Sequence, residues 1–218
     1  MELPSDIEYI KTKSIKKRNS ELEFPMRELQ NWFFEEYGIK PINIIYEILE
    51  HNKKPRLNII WEIDSHKEKF IVSSNEFNEK ENLIINKFKE ITKLEKNFKT
   101  ENLFIIFSHF SYVALIEANE KIKESEIKEL ESYLSEFGVW KIFKHFSSAL
   151  CILNTNKQLE ESKTGKVNEI ITEKYRELIS CYDEFGYSTD VKLNLLFDSK
   201  EKIDKEYGGN LSNYFRNW

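Results

Sequence analysis

Hydrophobic and polar positions along the chain follow two alternating periods, one typical of helices and one typical of strands. In the first half, apolar residues such as Leu29 and Phe33 recur at helical spacing, which predicts an amphipathic helix that ends at Gly38. Two alternating runs follow and predict a hairpin with one strongly apolar face. The predicted elements of this half are a helix over residues 26–37, strands over 42–50 and 56–64, a helix over 79–98 and a strand over 103–108.

The second half repeats this order of elements. The segment Glu36-Tyr37-Gly38, which ends the first helix, reappears as Glu136-Phe137-Gly138 with similar neighbours on both sides. Such internal similarity indicates that one architectural unit occurs twice. The predicted elements of this half are a helix over residues 124–137, strands over 139–146 and 149–154, a helix over 166–185 and a strand over 191–197.

A further strand before each unit, at residues 6–12 and 111–117, would complete the order βαββαβ in both halves. That order is typical of the ferredoxin-like fold. We therefore predict the α+β class with tandem ferredoxin-like units, whose antiparallel sheets carry helices on one face and leave the other face open. The predicted domains are a first unit at residues 1–109, a second unit at 110–198, and a C-terminal tail at 199–218 that packs on the body.

Composition and charge limit the possible partners. The chain has 218 residues, a formal net charge of −5, and 16 Phe, 10 Tyr and 4 Trp, which is ample material for a folded core. Net negative charge disfavours a broad phosphate-binding surface, so nucleic acid is not the expected partner and a basic protein is. The basic run KTKSIKKR at residues 11–18 is interpreted as a solvated segment. No secretory signal or membrane span is recognisable, so a cytoplasmic location is expected.

Candidate chemical sites are sparse. Two histidines, His109 and His145, stand beside Phe and Ser at hairpin-like positions, but spacing alone assigns neither a catalytic role. The two cysteines, Cys151 and Cys181, are expected to be reduced and packed. The acids of the first hairpin match no metal-binding loop or zinc signature, and no glycine-rich phosphate loop is present. We predict no catalytic residue, no metal and no cofactor.

The open face of the first sheet is the predicted partner-binding surface. Apolar contact area and acids alternate there, which suits docking against a cationic protein. The candidate residues are Asn43, Ile45, Glu47, Asn58, Ile60, Glu62 and Asp64.

In overall character the acidic, aromatic-rich α+β chain resembles the small cytosolic immunity proteins of bacterial toxin systems. The resemblance implies a non-enzymatic protein that neutralises a cognate, basic toxin by covering its active surface. Two alternatives stay open. The paired ferredoxin-like units also resemble CRISPR RNA-processing endoribonucleases of the RAMP type, for which His109 or His145 would be the candidate histidine, although that family's C-terminal glycine-rich loop is missing. The other alternative is a regulatory scaffold that self-associates through its open sheet faces.

Overall fold

Two compact units make up the chain, Met1–Val113 and Ala114–Trp218. The computed structural model describes residues 3–64, 74–191 and 193–217, with the side chains of residues 74–78 left out. Each unit contains a three-stranded sheet, which confirms the mixed α+β class. The division falls close to the predicted boundary after residue 109, although the domain assignment itself stays a prediction.

The first unit is built around one hairpin and its helices. Its described elements are α1 (Ile7–Lys16), α2 (Met26–Tyr37), β1 (Asn43–Ile48), β2 (Pro55–Trp61), α3 (Ser74–Ile91), β3 (Phe104–His109) and the start of α4 (Phe110–Lys121). The strand order is β1-β2-β3. The division between the units lies within α4.

The core of the first unit lies on the apolar side of the hairpin, as the alternating pattern predicts. Leu57, Ile59 and Trp61 of β2 are fully buried and pack in one cluster with Phe33 of α2 and Phe88 of α3. Phe33 and Trp61 meet edge to face, with ring centroids 5.5 Å apart.

The second unit repeats the arrangement with additional short helices. Its described elements after α4 are α5 (Glu124–Leu134), a 3₁₀ turn (Ser135–Phe137), β4 (Val139–His145), β5 (Ser148–Leu153), α6 (Asn156–Thr164), α7 (Val167–Ser180), α8 (Tyr187–Asp190), β6 (Leu196–Ser199), α9 (Lys200–Tyr207) and α10 (Leu211–Arg216). The strand order is β4-β5-β6. Leu150 and Ile152 of β5 pack with Ile203 of α9 and Tyr214 of α10, so the C-terminal segment contributes to this core.

The matching glycines hold the matching positions in the two units. Gly38 ends α2 with φ +66°, and Gly138 ends the 3₁₀ turn after α5 with φ +83°. Both angles lie in the left-handed region that favours glycine, and both residues lead into a hairpin. The predicted end of the first helix at Gly38 is confirmed. In the second unit α5 ends at Leu134 and only the 3₁₀ turn reaches Gly138. Helix α7 ends at Ser180, so its predicted end at residue 185 is wrong.

Two predicted strands are wrong. Asp6 is the N-cap of α1, residues 7–12 lie within that helix, and residues 111–117 lie within α4. The second error has a clear cause: neighbouring residues of α4 such as Val113, Ala114 and Leu115 are all buried. A helix that is buried on several sides loses its amphipathic period, and a short apolar run of this kind cannot be told from a strand by pattern alone.

The sheets are mixed rather than antiparallel. In each, the hairpin strands pair antiparallel, but β2 pairs parallel with β3, and β5 pairs parallel with β6. Helical connections between the parallel strands return the chain to the same end of the sheet, which produces parallel pairing. The prediction of wholly antiparallel sheets is therefore wrong, and a tandem ferredoxin-like arrangement is not confirmed.

Candidate partner-binding surfaces

Helix α1 lies across the sheet face that the sequence predicts to be open. The Asn43 side-chain amide donates to the Thr12 hydroxyl at 2.9 Å, and the Asn58 amide lies 3.4 Å from a carboxylate oxygen of Glu8. Asn43 is 4% exposed, and Asn58 and Ile60 are fully buried. Helix α1 therefore covers this face, while α2 and α3 pack on the opposite face of the same sheet. The prediction of helices on one face only is wrong for the first sheet.

The acids of the predicted surface face cations of their own chain. Glu47 accepts hydrogen bonds from the Arg56 guanidinium, which also lies 3.6 Å from Glu8 of α1. Glu62 pairs with Lys16 near the end of α1. The basic run of residues 11–18 is therefore partly engaged with the sheet, because much of it belongs to α1.

Asp64 is the most open of the predicted residues. Its side chain is 70% exposed, and Oδ1 lies 3.3 Å from Nε2 of His109 at the end of β3. Ile45 is half-buried. Partner binding by Ile45, Glu47, Glu62 and Asp64 stays a prediction, whereas Asn43, Asn58 and Ile60 have no exposed surface to offer.

The other candidate groups divide into packed and exposed ones. Cys151 is buried in β5, and burial raises the pKa of its thiol to about 12, so the thiol stays protonated at neutral pH. Cys181 is exposed, so its predicted packing is wrong. The His145 ring stands edge-on to Phe146, with centroids 4.6 Å apart. Across the ranges that the structure describes, no three His, Cys, Asp or Glu side chains gather as a metal site.

A surface groove between α5 and α7 was not predicted. It is open to solvent and has a volume of about 470 Å³. Apolar side chains that keep exposed surface form its floor. Leu130 and Leu178 are half-buried, and Tyr133 is 53% exposed. The lining residues are Glu126, Glu129, Leu130, Tyr133, Lys174, Glu177, Leu178 and Cys181.

Acidic side chains form the rim of this groove. Glu129 is exposed on α5. Opposite it on α7, Glu177 accepts a hydrogen bond from Lys174, whose Nζ lies 2.8 Å from Oε2. The Lys174 ammonium also lies over the Tyr133 ring, 5.8 Å from its centroid. One lysine thus reaches both the acidic rim and the aromatic floor.

One end of the groove is fixed by a hydrogen bond between the two helical regions. The Tyr182 hydroxyl donates to Glu126 Oε2 at 2.6 Å, and the Lys123 backbone N–H donates to the same oxygen at 2.8 Å. The hydroxyl, followed by the N–H, lowers the pKa of the Glu126 carboxyl. Glu126 therefore stays ionised at neutral pH and holds the end of the groove.

A row of exposed acids continues along α7. Glu169, Glu173 and Glu177 follow one another at intervals of four residues, a spacing that puts them on neighbouring turns of one face. Ile127, Leu130 and Leu134 recur at helical spacing along α5, and of these Ile127 and Leu134 are buried. The spacing of these residues does not show that Leu130 stays half-buried, so the sequence carries no signal for the groove.

Within residues 3–64, 74–191 and 193–217, no helix combines the length and apolar character needed to cross a membrane. Comparison with known proteins adds no relative, because no family model, no curated protein and no solved structure matches this chain.

Proposed function

We propose that this protein is a non-enzymatic binding protein for a basic protein partner, and specifically an immunity or antitoxin protein that covers the active surface of a cognate toxin. The observation that carries the proposal is the open groove between α5 and α7, which combines an apolar floor with an acidic rim. The proposal does not depend on a ferredoxin-like relationship of the two units, which stays a prediction.

The two parts of the groove have separate roles in this proposal. Apolar residues such as Leu130 and Tyr133 supply contact area that leaves water on binding. Glu129, Glu177 and the net charge of −5 attract a cationic partner and speed its encounter. A toxin that acts on nucleic acid needs a basic surface to hold phosphate, so it has the complementary charge. Covering that surface would block access of the nucleic acid.

The test takes as the partner the protein encoded by the adjacent gene, which the proposal expects to be basic. We expect it to bind the full chain with an affinity that falls as salt rises, since exposed charges are screened beyond about 10 Å at 0.1 M salt. Replacing Glu177 by lysine should weaken binding about tenfold or more and should abolish protection from toxicity.

The matched control is Glu90→Lys on α3. Glu90 is exposed and takes part in the same kind of pair, with Lys87 three residues before it. This variant should bind within about twofold of the natural chain, because one exposed charge outside the interface has little effect. Equal weakening by Glu90→Lys and by the groove variant would mean that net charge alone accounts for the weaker binding. The groove would then be rejected as the binding surface.

Lysine substitutions at Glu47 and Glu62 test the surface predicted from sequence. Both acids pair with cations of their own chain, Arg56 and Lys16, so we expect a less stable first unit with little change in partner affinity. Weakened binding at unchanged stability would instead move the partner surface to the first sheet.

RNA cleavage is a second candidate function, favoured by one contact. The carboxylate of Asp64 lies within 3.3 Å of the His109 imidazole, and a carboxylate that orients a histidine is the arrangement used in general acid–base catalysis. Cleavage of RNA that His109→Ala abolishes would favour this function, whereas cleavage that survives the substitution would remove His109 from it.

A further inference from the structure

We propose that the α5–α7 groove receives a cationic amphipathic helix of the partner, and that Lys174 holds the position of the partner's cation until that helix arrives. This binding mode rests on the function proposed above and adds the shape and chemistry of the segment that is bound.

The dimensions of the groove suit a short helix. Its α5 wall runs over the 11 residues of Glu124–Leu134, which corresponds to a length of about 16 Å at 1.5 Å per residue. A partner helix of about three turns matches that length. Two helical walls with an apolar floor between them are the usual setting for helix-in-groove recognition.

The floor offers three contacts for apolar anchors. Leu130 and Tyr133 lie three residues apart on α5, and Leu178 lies opposite on α7. Side chains at positions i, i+3, i+4 and i+7 of a partner helix form one stripe, which can enter such a floor while the flanking positions face its rim.

Charge decides which amphipathic helix fits. Glu129 and Glu177 flank the floor, so lysine or arginine beside the apolar stripe is favoured and acidic residues there are repelled. Lys174 shows where such a cation would lie, because its ammonium contacts both the Glu177 carboxylate and the face of Tyr133. A partner cation that takes this position must displace Lys174.

Removing Lys174 should improve binding, because the partner's cation then no longer has to displace the Lys174 ammonium. Lys174→Gln frees Glu177 and the Tyr133 ring for the incoming cation. The matched control is Lys87→Gln, because Lys87 pairs with Glu90 at the same three-residue spacing on α3. Both substitutions make the chain one charge more acidic, so general electrostatics affects them equally.

The probe is a synthetic peptide of about three turns with leucine at i, i+3, i+4 and i+7 and lysine at the flanking positions. A second peptide of identical composition has its leucines scrambled. Fluorescence anisotropy with the full chain should show the amphipathic peptide binding about tenfold tighter than the scrambled one. Lys174→Gln should tighten that binding about threefold relative to Lys87→Gln.

Loss of the floor should abolish the preference between the peptides. Leu130→Asn together with Leu178→Asn, which leaves the net charge unchanged, should weaken binding of the amphipathic peptide about tenfold or more. Tyr133→Ala serves if that double variant does not fold, because Tyr133 is largely exposed and its removal spares the core. Circular dichroism and thermal melting identify the variants that remain folded.

Equal binding of the two peptides, or binding by Lys174→Gln that is no tighter than binding by Lys87→Gln, would overturn the helix-in-groove mode. The function proposed above is judged separately by the neighbouring gene product. If that protein binds through Glu177 while the peptides are not distinguished, the function stands and the helical mode fails. If the amphipathic peptide is preferred while the gene product does not bind, the function fails and the groove specificity stands.

Discussion

Asp198 of β6 is the residue whose loss should separate the C-terminal helices from the second sheet. Its Oδ2 accepts hydrogen bonds from the Lys202 ammonium of α9 at 2.9 Å and from the Tyr214 hydroxyl of α10 at 2.8 Å. Its Oδ1 accepts the Ser199 backbone N–H at 2.8 Å. One nearly buried carboxylate thus connects a strand and two helices.

The expected loss of stability follows from these three contacts. A hydrogen bond to a charged group contributes about 1.5 to 3 kcal/mol net. The contact with Lys202 contributes less than that, because the Lys202 side chain is 39% exposed and is screened by solvent. Asp198→Ala should therefore lower the free energy of unfolding by about 3 kcal/mol, chiefly through the bonds to Tyr214 and Ser199.

Urea unfolding and amide hydrogen exchange measure the effect. Asp198→Ala should shift the unfolding midpoint and reduce protection in β6, α9 and α10, with β1 to β3 unchanged. The control is Asp204→Ala on α9, which removes an exposed pair with Lys200 and should cost less than about 1 kcal/mol. Similar losses for the two variants would refute the assignment of Asp198 as the connecting residue.

Acid titration provides an independent check on the same residue. Burial raises the pKa of Asp198, but the bonds from Lys202, Ser199 and Tyr214 prevail and lower it below its ordinary value of 3.8. A carboxyl whose pKa is lower in the folded state contributes stability that is present above the unfolded pKa and is lost as pH falls through the folded pKa. The stability difference between the natural chain and Asp198→Ala should therefore be constant near neutral pH and shrink below about pH 4.

Three further substitutions test the second unit and its repeat relationship to the first. Tyr175→Phe removes the hydroxyl that donates to Asn119 Oδ1 at 2.5 Å in a buried pair, and should cost about 1 to 3 kcal/mol in urea unfolding; an unchanged midpoint would contradict this. Gly38→Ala should cost about 1 kcal/mol, because its φ is +66° but the added Cβ meets nothing within 4 Å. Gly138→Ala should cost about 1 kcal/mol more, because its Cβ would lie 2.5 Å from Nε2 of Gln158, which takes part in a capping box; equal thermal shifts for the two glycine variants would oppose this comparison.

The regular parts of the fold could be predicted because their periods are clear. The stripe of α2 predicts the burial of Leu29 and Phe33, and the alternation in β2 predicts the face on which Leu57, Ile59 and Trp61 enter the core; the structure confirms both. The matching positions of Gly38 and Gly138 then indicate that the second half repeats the first. The periods of the single elements are local signals, and each depends on only about a dozen neighbouring residues.

Helices α4 and α6 were not predicted, because neither has a clear amphipathic period. Helix α4 is buried on several sides, so its sequence resembles a strand. Helix α6 is polar, but its start has a capping box in which the Thr155 hydroxyl accepts the Gln158 backbone N–H. A threonine followed three residues later by glutamine is visible in the sequence, so this helix could have been found.

The binding surface could not be predicted in the same way, because exposure depends on what packs above it. The alternation in β1 and β2 identifies the two faces of the sheet. It does not show that Thr12 and Glu8 of α1 lie over the face predicted to be open. The groove between α5 and α7 likewise exists only when two helices that are separated in sequence come together. Tertiary packing creates both features, and a single-sequence pattern does not record it.

The parallel pairing of β6 with β5 has a consequence for synthesis of the chain. β5 is the central strand of its sheet and is almost entirely apolar, yet its second neighbour is a strand that begins only at Leu196. While the ribosome is still making the intervening residues, one edge of β5 has no strand to pair with, and an unpaired apolar edge is a template for aggregation. A nascent chain that is stalled or truncated before residue 196 should therefore need a chaperone to stay free of aggregation. The full chain, in which β6 can pair with β5, should not need one.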